Sequence, residues 1–186
     1  MTPAPRLMTV DDYFATPETV KPAELAFGVL RVADAPTPRH QSAVFSMAIA
    51  LAHHVRAQRR GTVWISPLDV VLDDEQALIV QPDVLFISNE RADIVRERVW
   101  GAPDLVIEVL SPHPRVGTLS EHLAWFARYG VRECWLVHQD QQRISVIEFR
   151  DRHAAPARLC GARQPIQSAV LPEFDLSLRQ MLDAAA

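Results

Sequence analysis

Three acidic residues stand where the surrounding sequence otherwise predicts buried strands. Glu108 interrupts an apolar run at residues 104–110, and Asp83 directly precedes another at residues 84–87. Glu24 begins an earlier strand-like segment. An ionised carboxylate in a core strand is costly unless a cation neutralises it. Carboxylates on neighbouring strands can converge on a hard cation such as Mg²⁺, which activates water and stabilises charge on a phosphate. Each acid taken singly could instead pair with an arginine or face solvent at a strand end.

The hydrophobic pattern predicts the elements that would position these acids. Helices are predicted just after Thr9, at residues 39–59, at residues 119–129, and within residues 171–182. Strands are predicted at 24–32 (a pair bent at Gly28), 62–65, 69–72, 77–80, 83–87, 104–110, 133–137 and 143–149. The alternation of helices and strands predicts a mixed α/β fold. We expect one domain over residues 1–186, with residues 1–7 as a loose N-terminal arm.

The charge of the chain limits which surfaces could bind nucleic acid. The chain has 186 residues and a formal net charge of -4, so no overall positive field attracts a polyanion. A nucleic-acid site would therefore need a local basic surface. Lys21 is the only lysine among 19 basic residues, which leaves one candidate for any mechanism that needs a catalytic lysine.

Cysteine content and hydropathy bear on the cell compartment and on zinc. The two cysteines, Cys134 and Cys160, cannot form a cysteine-rich zinc site. Cys134 lies within an apolar run and is predicted to be buried. The N-terminus lacks a basic start followed by an apolar stretch, and no run of about 18 apolar residues is present. We expect a cytoplasmic protein with no membrane span.

A series of motifs appears in order along the chain. They are MTVDDYF at residues 8–14, Glu24-Leu25 with Gly28 and Leu30, PRHQ at 38–41, PDVLF at 82–86, PDLVIEVLSP at 103–112 and GVRECWLV at 130–137. Together they resemble the Uma2 family (DUF820) of restriction-endonuclease-like proteins, over about residues 8–150. The resemblance implies a PD-(D/E)XK nuclease fold, in which helices flank a mixed central sheet that carries a carboxylate metal site.

The resemblance also implies roles for the three acids. Asp83 matches the first acid of the nuclease motif and Glu108 the second, while Glu24 completes the site and the carbonyl of Val109 faces the metal. The implied activity is metal-dependent DNA endonuclease cleavage, with Mg²⁺ or Mn²⁺ as cofactor and DNA as partner. A homodimer is expected by analogy with nucleases that cut two strands.

The sequence departs from the family pattern at the lysine. Leu110 occupies the position two residues after the second acid, and His122 occupies the helix position where Uma2 proteins usually carry lysine. His122 could replace that lysine as a proton donor to phosphate or as a base toward water. It could equally be an exposed residue in a catalytically lapsed nuclease-fold protein that binds nucleic acid or a protein partner. A third reading leaves completion of the site to a partner protein or to a second copy.

His40 also matches the family, in the Pro-rich start of the long helix. It is a candidate substrate contact near the site. The alternative is that His40 merely caps the helix.

Overall fold

The structure is a computed structural model that describes residues 7–17, 21–111 and 117–184. Its α-helices are α1 (Val10–Phe14), α2 (Pro38–Ala57), α3 (Leu119–Tyr129) and α4 (Leu178–Asp183). Its strands are β1 (Ala23–Ala26), β2 (Val29–Val32), β3 (Gly61–Ile65), β4 (Val70–Asp73), β5 (Leu78–Val80), β6 (Val84–Ser88), β7 (Val99–Trp100), β8 (Leu105–Leu110), β9 (Glu133–His138), β10 (Arg143–Arg150), β11 (His153–Ala154) and β12 (Arg158–Gly161). Within the described ranges, no helix is long and apolar enough to cross a membrane.

Local sequence signals determine where the two longer helices begin. Thr37 caps α2 by accepting a hydrogen bond from the backbone N–H of His40, and Pro38 occupies the first turn. At α3, Thr118 and Glu121 form a reciprocal capping box. Gly130 ends α3 with a φ of 98°, a left-handed conformation that glycine adopts without steric cost.

The strands form two sheets. The smaller sheet has the order β2-β1-β5-β4-β7, and the larger has the order β11-β10-β9-β8-β6-β3, with β12 also pairing with β10. In the larger sheet β8 and β9 are parallel, whereas β6 pairs with β8 in the antiparallel sense. The predicted mixed α/β class is therefore confirmed.

The larger sheet is covered on both faces. Val84, Ile107 and Trp135 belong to a core cluster shared with α2 and α4. Their sequence neighbours Leu85 and Val106 belong to a second cluster, shared with α3 and the smaller sheet. Because side chains alternate along a strand, strands buried on both faces appear in the sequence as continuous apolar runs.

Most predicted elements are confirmed to within a few residues, and the segments that sequence patterns missed are short. These are a 3₁₀-helix (Asn89–Ile94) and the strands β7, β11 and β12. These three strands are only two to four residues long, which is too short for an alternating apolar and polar pattern to be recognised. Of the predicted arm, residues 1–6 lie outside the described residues; Leu7 is exposed.

Candidate active site

The four predicted catalytic residues line one cleft. Glu24 comes from β1, Asp83 immediately precedes β6, Glu108 lies in β8, and His122 lies in α3. The cleft has a volume of about 220 Å³, and Val109 is among the residues that line it. Residues far apart in the sequence are thus brought together as the prediction required. Their catalytic and metal-binding roles stay predictions.

The pairing of β6 with β8 explains why Asp83 and Glu108 are neighbours. Val84 pairs with Ile107 in antiparallel register, so Asp83 lies beside Glu108 one residue further along. The Oδ2 atom of Asp83 accepts a hydrogen bond from the backbone N–H of Val109 at 2.8 Å. Asp83 is only 4% exposed. The hydrogen bond therefore attaches one oxygen of a buried carboxylate to the backbone of β8.

His40 holds the other oxygen of Asp83. Its Nε2 atom lies 3.0 Å from Asp83 Oδ1, and the residue is 3% exposed at the start of α2. His40 therefore lies behind Asp83 rather than on the cleft wall. The substrate contact suggested for His40 stays a prediction, while the contact that the structure shows is with Asp83.

Glu24 and His122 form a buried pair. The Oε1 atom of Glu24 accepts a hydrogen bond from the backbone N–H of Gln81 at 3.1 Å, and Oε2 lies 3.0 Å from His122 Nε2. Burial alone lowers the pKa of His122, but the hydrogen bond to Glu24 and the charges of Glu24, Glu108 and Glu121 outweigh it. The result is a pKa of about 9 for His122. His122 is therefore a cation at neutral pH.

The donor chemistry of the cleft fits a divalent metal ion. Glu24, Asp83 and Glu108 supply carboxylate oxygens, the ligands that Mg²⁺ and Mn²⁺ prefer. Within residues 7–17, 21–111 and 117–184, no three His, Cys, Asp or Glu side chains already surround one point at ligand distance. Backbone N–H groups of Gln81 and Val109 donate hydrogen bonds to Glu24 and Asp83, respectively.

Leu110 also lines the cleft, at the position where the nuclease motif places its lysine. An apolar side chain cannot donate to a phosphate. Any cation on this wall must therefore come from another element, and His122 on α3 is one such group.

Two neighbours of the site were not predicted from the sequence. Gln81 anchors Glu24 through a backbone N–H, which no side-chain pattern reveals. Arg31 in β2 lies directly opposite Glu24 of β1 in the strand register. Arg31 is the single charged residue of β2, and this was the one sequence signal that could have identified it as a neighbour of the site.

Comparison with known proteins agrees with this architecture. The family model of Uma2, described as "Putative restriction endonuclease", matches residues 10–179. A solved structure described as "a putative nuclease belonging to DUF820 from Anabaena variabilis ATCC 29413" is similar, with a TM-score of 0.79 at 18% identity. That similarity covers 96% of this chain and 99% of the other, and it shows a shared fold. No curated protein sequence matches. Because the family model matches most of the sequence, from α1 into α4, the chain belongs to the Uma2 family.

Proposed function

We propose that this chain is a metal-dependent DNA endonuclease that hydrolyses phosphodiester bonds. One observation carries the proposal: three carboxylates and a cationic histidine line a single cleft in a chain of the Uma2 family. Such a combination can hold a hard cation and stabilise a phosphate whose negative charge increases during hydrolysis.

Each residue of the cleft has a role in this proposal. Glu24, Asp83 and Glu108 would hold Mg²⁺ or Mn²⁺, which when bound supplies Lewis-acid stabilisation and an activated water. Glu24 keeps the imidazole of His122 protonated through their 3.0 Å contact. His122 then presents positive charge to a phosphate oxygen, in place of the lysine that the family pattern carries. His40 and the Val109 N–H restrain both oxygens of Asp83, so that this carboxylate cannot rotate out of the cleft.

Manganese titration of the wild type and of Asp83→Asn tests the metal site without knowledge of the substrate. We expect calorimetric binding in the wild type and at least about 10-fold weaker binding in the variant, because one ligand oxygen has lost its charge. Metal-dependent cleavage of plasmid DNA should be lost as well. The matched control is Asp140→Asn, which removes an exposed carboxylate paired with Arg39 outside the cleft lining. Cleavage that survives Asp83→Asn would remove Asp83 from the mechanism.

A second candidate function is a binding module that retains the fold but has lost catalysis. Leu110 at the usual lysine position favours this candidate. It requires that no divalent metal supports cleavage while DNA or a protein partner still binds. Robust turnover that depends on Asp83 would exclude it.

The proposal includes a homodimer and a cytoplasmic location. Two copies related by a two-fold axis could present two clefts to the two strands of a duplex. Light scattering coupled to size-exclusion chromatography measures the oligomeric state directly. A strict monomer at high concentration would contradict the homodimer.

A further inference from the structure

Arg31 is held in one orientation next to the cleft. Its Nη1 and Nη2 atoms each lie 3.1 Å from a different carboxylate oxygen of Glu121. Glu121 is itself held by the backbone N–H of Thr118 at 2.8 Å and by the Thr118 hydroxyl at 3.0 Å. A bidentate contact to a carboxylate that is already fixed leaves the guanidinium little rotational freedom.

Because Gly117 has no side chain, space is left between the Arg31 guanidinium and the cleft. A Cβ atom added to Gly117 would lie 2.9 Å from Arg31 Nη1 and 3.3 Å from His122 Nε2. The Arg31 guanidinium and the His122 imidazole therefore approach the same point on the cleft wall, which Gly117 lines. The side chain of Arg31 is 31% exposed, so it is open to solvent just outside the residues that line the cleft.

The chemistry of this corner suits a phosphate. A guanidinium has five N–H donors, and the two contacts to Glu121 use two of them. The guanidinium also lies over the ring of Trp125, 5.7 Å from its centroid, which further restricts its orientation. The partial positive charge at the N-terminus of α3 offsets the charge of Glu121. The guanidinium thus keeps N–H donors for an anion beside an otherwise acidic cleft.

We propose that Arg31 is a substrate-binding residue that contacts a backbone phosphate of DNA at the mouth of the cleft, next to the phosphate that His122 faces. This inference rests on the proposed nuclease function and adds to it a residue that no motif indicated. Glu121 orients the guanidinium of Arg31, and the absence of a side chain at Gly117 leaves room for the DNA strand to reach that guanidinium.

Salt-dependent binding of a short fluorescein-labelled DNA duplex, followed by fluorescence anisotropy without metal, tests the contact. Losing one phosphate contact should reduce the slope of log affinity against log salt by about 1, so Arg31→Ala should show that reduction and bind several-fold more weakly. Arg31→Lys retains the charge and should keep most of the slope. The matched control is Arg179→Ala, which removes an exposed arginine of α4 that is likewise paired with a carboxylate. Thermal melts of each variant check that it is folded.

The outcomes separate this inference from the function on which it rests. A wild type that cleaves DNA through Asp83, together with an unchanged slope in Arg31→Ala, overturns the role of Arg31 and leaves the nuclease proposal standing. An equal loss of slope in Arg179→Ala also overturns it, because the effect would then be non-specific. A wild type that neither binds nor cleaves DNA overturns both proposals. Binding without cleavage, with the slope reduced only in Arg31→Ala, supports Arg31 and contradicts catalysis.

Discussion

At the scale of single residues, the contact between His122 and Glu24 explains how a histidine could serve in place of lysine. An isolated histidine is mostly neutral at pH 7. Here the 3.0 Å contact with Glu24 makes the imidazole a cation, which is the charge state of a lysine. The rings of Trp125 and Phe126 lie 5.3 and 5.9 Å from that of His122 and limit its movement.

Substitution of His122 tests whether this histidine takes part in catalysis or belongs to a protein that has lost catalysis. We expect His122→Ala to reduce the cleavage rate by about 100-fold, the lower end of what a positioned proton donor contributes. His122→Lys should retain the rate to within about tenfold, because the positive charge returns. The measurement is single-turnover cleavage, with manganese calorimetry as the control for an intact metal site. Equal activity in the wild type and His122→Ala would show that His122 takes no part.

The charge of Glu121 reports whether its pair with Arg31 forms in solution. Hydrogen bonds from Arg31 and from Thr118 lower the pKa of Glu121 from 4.5 to about 2. The pKa is depressed in the folded state, so the stabilisation is fully present above about pH 4.5 and is lost as the pH falls toward 2. NMR titration of the carboxyl group should give a midpoint near 2, and Arg31→Gln should raise it. A wild-type midpoint near 4.5 would show that the pair does not persist.

At the scale of elements, the strand order positions the site. Because β6 lies between β3 and β8, Asp83 and Glu108 emerge side by side at one end of the larger sheet. The smaller sheet contributes Glu24 from β1, and α3 places His122 against it. The cleft is therefore the seam where β1 and α3 meet the end of the larger sheet.

A buried carboxylate attaches the C-terminal segment to the sheet. Glu133 of β9 is fully buried and accepts hydrogen bonds from Trp135 Nε1 (2.6 Å), Ser168 Oγ (2.6 Å) and the backbone N–H of Ala169 (2.8 Å). Three neutral hydrogen-bond donors thus stabilise the buried carboxylate. Its role is to hold the chain that follows β12 against β9.

Removal of the Glu133 carboxylate should destabilise the fold. Glu133→Ala leaves the buried indole N–H of Trp135 and the partly buried donors of Ser168 and Ala169 without their acceptor, so we expect the free energy of unfolding to fall by about 3 kcal/mol in urea denaturation. The control is Glu148→Ala on β10, directly opposite in the register, whose partner Arg150 is exposed. That change should cost less than about 1 kcal/mol. Equal losses in the two variants would show that the buried contacts contribute no more than a surface ion pair.

At the scale of the whole molecule, residues after β12 complete the core. Leu171, Phe174, Leu178 and Met181 are buried in the cluster that α2 shares with the larger sheet. The ring of Phe174 packs 5.1 Å from that of Trp135. The segment after residue 150 thus both extends the sheet through β11 and β12 and covers one of its faces.

Phe174→Ala tests whether this segment unfolds together with the rest. We expect the free energy of unfolding to fall by about 3–5 kcal/mol, the usual cost of truncating a buried phenylalanine. Tryptophan fluorescence and far-UV circular dichroism should report the same single transition. Leu159→Ala, an exposed leucine of β12, is the control and should change stability little. Two separate transitions in the wild type would show that the segment is an independent unit.

Local sequence determined much of the architecture. The predicted range of α3, residues 119–129, matches the structure, because the apolar pattern and the terminating Gly130 are local signals. Apolar runs marked β6 and β8, and the acids within or beside them, Asp83 and Glu108, marked the cleft. Burial makes such acids costly wherever the strand lies, so their importance is visible without knowing its neighbours.

Only the tertiary structure decided which groups meet. Glu24 and His122 are 98 positions apart, and Arg31 and Glu121 are 90 apart, so no periodicity links them. These contacts depend on strand order and on where α3 packs, which follow from burial of the whole core. His40 was predicted near the site, but its position behind Asp83 depends on how α2 lies across the sheet. Hydrophobic patterns are local, whereas the pairing of charges across a cleft is a property of the assembled fold.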